Sequence, residues 1–338
     1  MTNKISIIIP TLNAQKGLPA CLKSIKSQNY PQNKIEIIIA DGESVDNTVK
    51  ISKRDNCKVF NNPLKTAEAG KAIALKHATG DYIALIDSDN ILPTRNWLKK
   101  MIAPLDENSK IIGSEPWAFT YRKKAGFIER YSALIGANDP YAFICGVSDR
   151  LNYIDNKWTH INIKQENKKT HINIKLESNK AIPTIGANGT IYKASFLKKQ
   201  NMGDYLFDID IIQSYLDEHQ YLYFAKVKIG IIHTFCESSI IKFIKKQNRR
   251  LTDLFIYKNF RKFNWSSSNK TCIPKFILYT LLIFPALIDS TKGYINKPDT
   301  AWFFHPFACI LSLAIYGFVT IKKWPGLLKP LNRKSWSQ

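Results

Sequence analysis

The sequence predicts an α/β protein built on a mostly parallel sheet. Three observations predict it. Over the first hundred of 338 residues, short β-branched runs alternate with stretches of helical spacing, the rhythm of strand, helix, strand in a parallel sheet. Several of these runs close on turn or carboxylate residues, where open α/β sheets bind ligands. A composition of 45% hydrophobic and 22% charged residues is that of a folded chain and excludes a disordered tail protein.

The elements follow in order. Residues 5–9 are the first strand, broken by Pro10, Thr11, Leu12 and Asn13. Residues 18–28 have the apolar spacing of a helix, and 35–40 form a second buried strand ending at Asp41. Residues 44–48 offer N-cap side chains for a further helix, 58–60 are a short strand, and 67–79 are helical. Residues 82–86 form the fourth strand, closed by Asp87-Ser88-Asp89. Beyond residue 110 the pattern predicts strands at 110–113 and 182–185 and a helix at 126–135. A tandem duplication places residues 159–164 again at 170–175. Its alternation of Ile with polar residues predicts an exposed β-hairpin, with His160 and His171 on a ribbon and not on a metal.

Forty-nine Lys and Arg against 27 Asp and Glu give a net charge of +22, so the surface seeks an anionic partner. Residues 240–275 hold ten basic residues and one acid, Asp253, interleaved with apolar ones. That pattern predicts a basic amphipathic helix on an anionic membrane surface, and a helix packed on the catalytic domain explains it too. No RNA-recognition motif accompanies the charge, so nucleic acid is not an expected partner. Residues 301–321 carry no formal charge and match the ~20 residues of a transmembrane helix. Residues 273–288 are shorter and include Lys275 and Pro285, which fits a tilted span, a re-entrant segment or an interfacial helix. Together they predict a two-helix membrane hairpin. Lys322, Lys323, Lys329, Arg333 and Lys334 follow it, whereas Lys292 and Lys297 are balanced by Asp289 and Asp299. Positive-inside reasoning then puts both termini in the cytoplasm. The opening residues show no signal peptide, so the catalytic part is expected to be cytoplasmic. Six scattered cysteines without a CxxC pair read as buried thiols of a reducing compartment and argue against structural zinc.

Asp87 and Asp89, spaced i and i+2 at a strand end, can place one carboxylate on a divalent cation and the other on a ribose or the cation's water shell. A solvated Asp-rich turn explains the same pair. Context decides between them. Ile7-Ile-Ile-Pro-Thr-Leu-Asn13, Ile38-Ile-Ala-Asp-Gly42, Ser44-Val-Asp-Asn-Thr48 and Ala78-Thr-Gly-Asp-Tyr-Ile-Ala-Leu-Ile-Asp-Ser-Asp89 occur in an order and spacing that resemble the family 2 glycosyltransferases of GT-A fold. The resemblance is strong over residues 4–105 and moderate over 180–250.

The resemblance implies a role for each matching residue. Pro10, Thr11, Asn13 and Asp41 would hold the nucleoside of the donor, with Lys71, Asp87 and Ser88 beside its diphosphate. Asp89, with Asp87 and His233, would bind Mg²⁺ or Mn²⁺. Asp208, in a segment similar to the family's Glu-Asp-x-Asp but with Phe207 in place of Glu, would be the general base. Asp210 is the alternative base and Asp204 a third. Gln247, Arg249 and Arg250 resemble the Gln-x-x-Arg-Trp motif of processive synthases, with Leu251 where Trp is usual. They would meet a lipid acceptor's phosphate, while Trp97, Asn188 and Gly189 would line the acceptor pocket.

The implied layout is a GT-A domain over 1–238, with a nucleotide-sugar half (1–105) and an acceptor half (106–238). A basic interfacial helix region (239–270), two hydrophobic membrane helices (271–322) and a basic cytoplasmic tail (323–338) follow. The implied function is inverting sugar transfer from a UDP- or GDP-linked sugar, and the basic helix and apolar segments, not the catalytic motifs, add the expectation of a membrane-associated, polyprenyl-linked acceptor in glycan or envelope assembly. A polyprenyl-phosphate monoglycosyl synthase and a silent membrane scaffold of the same fold are the alternatives.

Overall fold

The computed structural model describes residues 3–200, 203–263, 271–324 and 326–331. Strand β1 (Ile5–Thr11) is buried at every position. Its alternating side chains feed two apolar clusters, Ile5, Ile7 and Ile9 into one and Ile8 into the other, as a strand covered on both faces requires. Helix α1 (Leu18–Lys26) starts with Pro19 in its first turn and ends on Lys23 and Lys26, which suit the two ends of a helix dipole. Then come β2 (Ile35–Asp41), α2 (Thr48–Arg54), β3 (Lys58–Asn61) and α3 (Ala67–Lys76), the last capped by the Thr66 hydroxyl accepting from the Ala69 amide.

β4 (Tyr82–Leu85) and the two-residue β5 (Asn90–Ile91) flank the Asp87–Asp89 turn. The second half contains α4 (Trp97–Glu107), β6 (Ile111–Phe119), α5 (Phe127–Ile135) and α6 (Pro140–Ile144). It continues with β7 (Lys164–Asn167), β8 (His171–Glu177), β9 (Thr190–Lys193), α7 (Ala194–Leu197), α8 (Asp208–Glu218) and β10 (Tyr221–His233). The C-terminal helices are α9 (Ile240–Ile256), α10 (Cys272–Leu282), α11 (Phe284–Asn296) and α12 (His305–Lys323).

One mixed sheet runs through both halves in the order β3-β2-β1-β4-β9-β6-β10-β8-β7, with β5 also on β10. β3, β2, β1 and β4 are parallel, and direction first reverses at β9. The carboxyl ends of β1, β2 and β4 therefore share a rim. β5 brings Asn90 opposite His233 at the end of β10.

The α/β expectation holds, and the first-half elements lie within a few residues of their predicted bounds. Three expectations need correction. Residues 182–185 are not a strand, because Pro183 has no amide to donate and Ile185 bonds back to the Pro183 carbonyl. The duplicated segment gives a hairpin from its second copy and the spacer before it. Residues 171–177 pair with β10, whereas residues 159–163 take no strand partner. Cys145 and Cys272 are joined, with Cα atoms 5.6 Å apart, and tie α6 to α10, while Cys21, Cys57, Cys236 and Cys309 are free. The first apolar stretch, expected as a tilted span, a re-entrant segment or an interfacial helix, bends by 83° at Ile283 into α10 and α11, the form of a broken span or a re-entrant loop; neither helix alone reaches the ~20 residues of a span. Residues 300–323 are long and apolar enough to cross a membrane. The predicted tail from residue 332 and residues 264–270 of the predicted basic region lie outside the described residues.

Candidate active site

β1 and β2 end side by side, so Thr11 and Asp41 are register partners. The Thr11 hydroxyl donates to Asp41 Oδ1 at 2.8 Å, and Ser44 donates its amide to Oδ2 at 2.8 Å and its hydroxyl to Oδ1 at 2.6 Å. Asn13, with φ 50°, accepts from the Val45 amide at 2.9 Å and donates its own amide to Ser44. The predicted donor residues thus pin the turn after β2 to the end of β1. Pro10 faces Gly70 on α3, where an added Cβ would meet the Pro10 Cβ at 2.9 Å. That close approach carries Lys71 into the cleft.

Lys71 is buried and its ammonium grips both oxygens of Asp208, at 3.0 and 3.2 Å. Asp208 is the first residue of α8, where a carboxylate complements the helix dipole. Burial pushes the Asp208 carboxyl up to about 6, against the pull of Lys71. Despite burial, Asp208 and then Asp87 hold Lys71 above the ordinary lysine range. Lys71 so stands between the predicted base and the predicted metal pair.

In the Asp87–Asp89 turn, the Asp87 amide donates to Asn90 Oδ1 at 3.0 Å, and Asn90 donates to Asn188 Oδ1 at 2.9 Å. Ser88 is fully buried beneath the turn. Asp89 Oδ2 lies 3.3 Å from His233 Nε2 and 3.1 Å from Lys246 Nζ. Although burial opposes it, Lys246 and His233 hold Asp89 well below the carboxylate range. Burial raises Asp87, Lys71 pulls it back and Asp89 adds to the rise. No cluster of three or more acid, His or Cys ligands forms among the described residues. Two adjoining carboxylates with an imidazole beside them are nevertheless a donor set suited to Mg²⁺ or Mn²⁺, and an added cation would oppose the upward push that burial gives Asp87.

Other predicted site residues go elsewhere. Trp97 is fully buried, donates to the Gly230 carbonyl at 2.8 Å and belongs to the core, so it cannot stack on a sugar. Gly189, with φ 85°, accommodates that indole, since an added Cβ would meet it at 3.0 Å. Asp210 accepts from Arg261 and from the Lys262 amide, both at 3.1 Å, so it anchors the chain after α9 and is not poised as a base. Asp204 is exposed, 3.8 Å from Lys76. Gln247 is fully buried and donates to the Asn138 carbonyl at 2.8 Å, which Arg250 also reaches at 3.0 Å. Asn138 in turn contacts His233 Nδ1 at 3.2 Å. The Gln247 and Arg250 side chains therefore brace the rim behind Asp89 and do not line an acceptor path. Arg249 is half-buried on the same helix.

Sequence reasoning missed two groups. One is Lys246. The other is a buried cluster beneath Asn188, in which Lys226 donates to Glu115 at 2.6 Å and Arg150 bonds Asp149 at 2.8 Å and the Asn188 carbonyl at 3.2 Å. Glu115 also pairs with Arg150, and burial pushes Asp149 up. Glu115 and Lys226 are register partners on β6 and β10. An acid and a base, each inside a strand, were the available signal.

Comparison with known proteins identifies the family and the fold. The model of glycosyl transferase family 2 matches residues 6–199. Over 111 residues the chain is 32% identical to poly(ribitol-phosphate) beta-N-acetylglucosaminyltransferase TarS of Staphylococcus aureus, covering 31% of this chain and 19% of that protein. Over 107 residues it is 33% identical to the dolichyl N-acetyl-alpha-D-glucosaminyl phosphate 3-beta-D-2,3-diacetamido-2,3-dideoxy-beta-D-glucuronosyltransferase of Methanococcus voltae. That match covers 30% of this chain and 33% of the relative. The chain thus spans a third or less of the length of these two relatives. Its fold is similar to that of the mannosyltransferase PcManGT from Pyrobaculum calidifontis, solved with GDP-Man and Mn²⁺. The TM-score is 0.53 at 13% identity, over 94% of this chain and 88% of that one.

Proposed function

The chain belongs to glycosyl transferase family 2, and we propose that it transfers a sugar, with inversion, from a UDP- or GDP-linked donor to a membrane-associated, polyprenyl-linked acceptor. The observation that carries this reading is the line of charge from Asp208 through Lys71 to Asp87 and Asp89 at the carboxyl rim of the sheet. Asp208 takes the proton of the attacking acceptor hydroxyl, and its raised pKa makes it a stronger base than an ordinary carboxylate. Lys71 bonds both oxygens of Asp208. A diphosphate beside Asp87 competes for the same ammonium and releases Asp208 to the acceptor. Thr11, Asn13 and Asp41 order the pocket for the nucleoside.

Asp87 and Asp89, with His233, would hold Mg²⁺ or Mn²⁺, which offsets the charge building on the departing nucleoside diphosphate. The lipid-linked acceptor is supported by the dolichyl compound in the name of the Methanococcus relative. Membrane attachment is supported by the apolar segment 300–323 and by the basic face of α9.

The test is donor binding by purified full-length protein with a panel of UDP- and GDP-sugars and Mn²⁺ or Mg²⁺, beside Asp89→Ala. Selective, metal-dependent binding that disappears in the variant supports the reading. Folded protein that binds none of these donors overturns it.

A further inference from the structure

Building on the membrane attachment proposed above, we propose that residues 272–323 form a platform that lies in one leaflet of an anionic bilayer and does not cross it. Length and apolarity alone allow residues 300–323 to span. What α12 touches argues otherwise. Phe304, just before it, packs edge-on against Phe243 of α9 with centroids 5.5 Å apart, and His305 Nδ1 lies 2.7 Å from the Tyr131 hydroxyl of α5. Midway, Tyr316 donates to Asp139 and, at 3.2 Å, to Gln247. At the far end the Lys323 ammonium sits 4.2 Å over the ring of Phe255, again on α9.

The distance from residue 304 to residue 323 is about 28 Å at 1.5 Å per helical residue, close to the ~30 Å hydrocarbon thickness. Were α12 to span, the catalytic domain's α9 would stand beside it through the whole depth, with α5 at its start and α6 as far as its middle. Gln247, Asp139 and Arg250 would then sit inside the hydrocarbon. So would Lys246, one residue from Gln247, together with the Asp89 carboxylate it holds. A charged pair and a solvent-facing cleft cannot be placed there at tolerable cost.

The segment before α12 points the same way. It leaves the catalytic domain at Cys272, bonded to Cys145, with Lys275 donating to the Ile144 carbonyl at 2.6 Å. It returns at Asn296, which donates to the Ile154 carbonyl at 2.7 Å, and at Asp299, 2.9 Å from Arg130. Both ends meet the same domain, and the 83° bend between them makes a wedge whose apex exposes Leu281, Leu282 and Phe284. On α12 the inner stripe of His305, Ala308, Cys309, Ser312 and Val319 is buried. The opposite stripe exposes Phe307, Ile310, Phe318 and Ile321. One buried and one exposed apolar face, edged by Lys322 and Lys323, is the division of an in-plane helix. The occupant of the exposed face is an anionic phospholipid leaflet, chosen by the +22 charge of the chain.

The arrangements differ in where residues 297–299 and Lys329, beyond α12, emerge. In-plane, both stay on the catalytic side; with two spans residues 297–299 cross, and with α12 as a single span Lys329 crosses. The test uses full-length protein in inverted membrane vesicles from expressing cells, with single added cysteines Pro298→Cys, Lys329→Cys and Lys50→Cys. A membrane-impermeant maleimide is applied before and after detergent, and labelling of the unsubstituted protein is subtracted. Equal labelling of all three sites in sealed vesicles is the expected result. Labelling of Lys50→Cys with either Pro298→Cys or Lys329→Cys protected until detergent is added overturns the in-plane arrangement and keeps the membrane reading. If the protein does not sediment with the membranes at all, the membrane reading falls and this inference with it. Thermal unfolding of each variant, matched to wild type, shows that the label reports topology and not misfolding.

Discussion

At Asp208 two opposing effects set the charge: burial raises its pKa to about 6 and Lys71 pulls it down. A general base works only when deprotonated, so kcat/KM is expected to fall as pH drops through about 6, by about tenfold per unit on the acid limb. Replacing Asp208 with Asn is expected to lower kcat by about 10²–10⁴-fold and to tighten donor binding, read by titration calorimetry, because the Lys71 ammonium loses the carboxylate that competes with the diphosphate. At Trp97 the expectation is reversed. Trp97→Ala should cost about 3–5 kcal/mol of stability, seen in the denaturant midpoint, while Trp97→Phe should leave the KM for donor and acceptor unmoved. The acids at Asp41, Asp87, Asp89 and Asp208 are legible in the sequence because each closes a strand or opens a helix, and local pattern reveals such places. Trp97 and Asp210 are not. What they touch, Gly230 and Arg261, is far along the chain, and only the folded packing turns an aromatic or an acid beside a motif inward.

Among the elements, α9 shows where pattern stops being informative. Its periodicity announces a basic amphipathic helix, yet cannot say that Lys246 turns into the cleft and reaches Asp89 at 3.1 Å. An ammonium on that oxygen competes with any cation drawn to the same carboxylate. Lys246→Met is therefore expected to lower the Mn²⁺ concentration needed for half-maximal nucleotide-sugar binding, and an unchanged or higher requirement would show that Lys246 serves the diphosphate instead. The duplicated segment makes a similar point. Two near-identical copies have different structures because β10 offers a partner to residues 171–177 and nothing comparable to residues 159–163. Strand propensity was readable; the partner that realises it was not.

Over the whole molecule, the parallel half of the sheet is legible because β1, β2 and β4 are largely apolar runs. How the C-terminal helices sit is not, because composition describes an apolar helix equally well across a bilayer or along it. Two forces would hold such a platform, and salt separates them. Attraction of the +22 chain to anionic lipid, worth roughly 1 kcal/mol per Lys or Arg near the surface, is screened as the Debye length falls from about 10 Å at 0.1 M to about 3 Å at 1 M. Burial of the Leu281 and Phe284 wedge is not screened. Flotation with phosphatidylglycerol-containing vesicles is therefore expected to weaken several-fold between those salt concentrations without vanishing. Leu281→Asp with Phe284→Asp should remove the salt-resistant part and leave the low-salt part largely in place. If salt alone strips the wild type from vesicles, the wedge does not enter the leaflet, and charge on α9 is what holds the protein there.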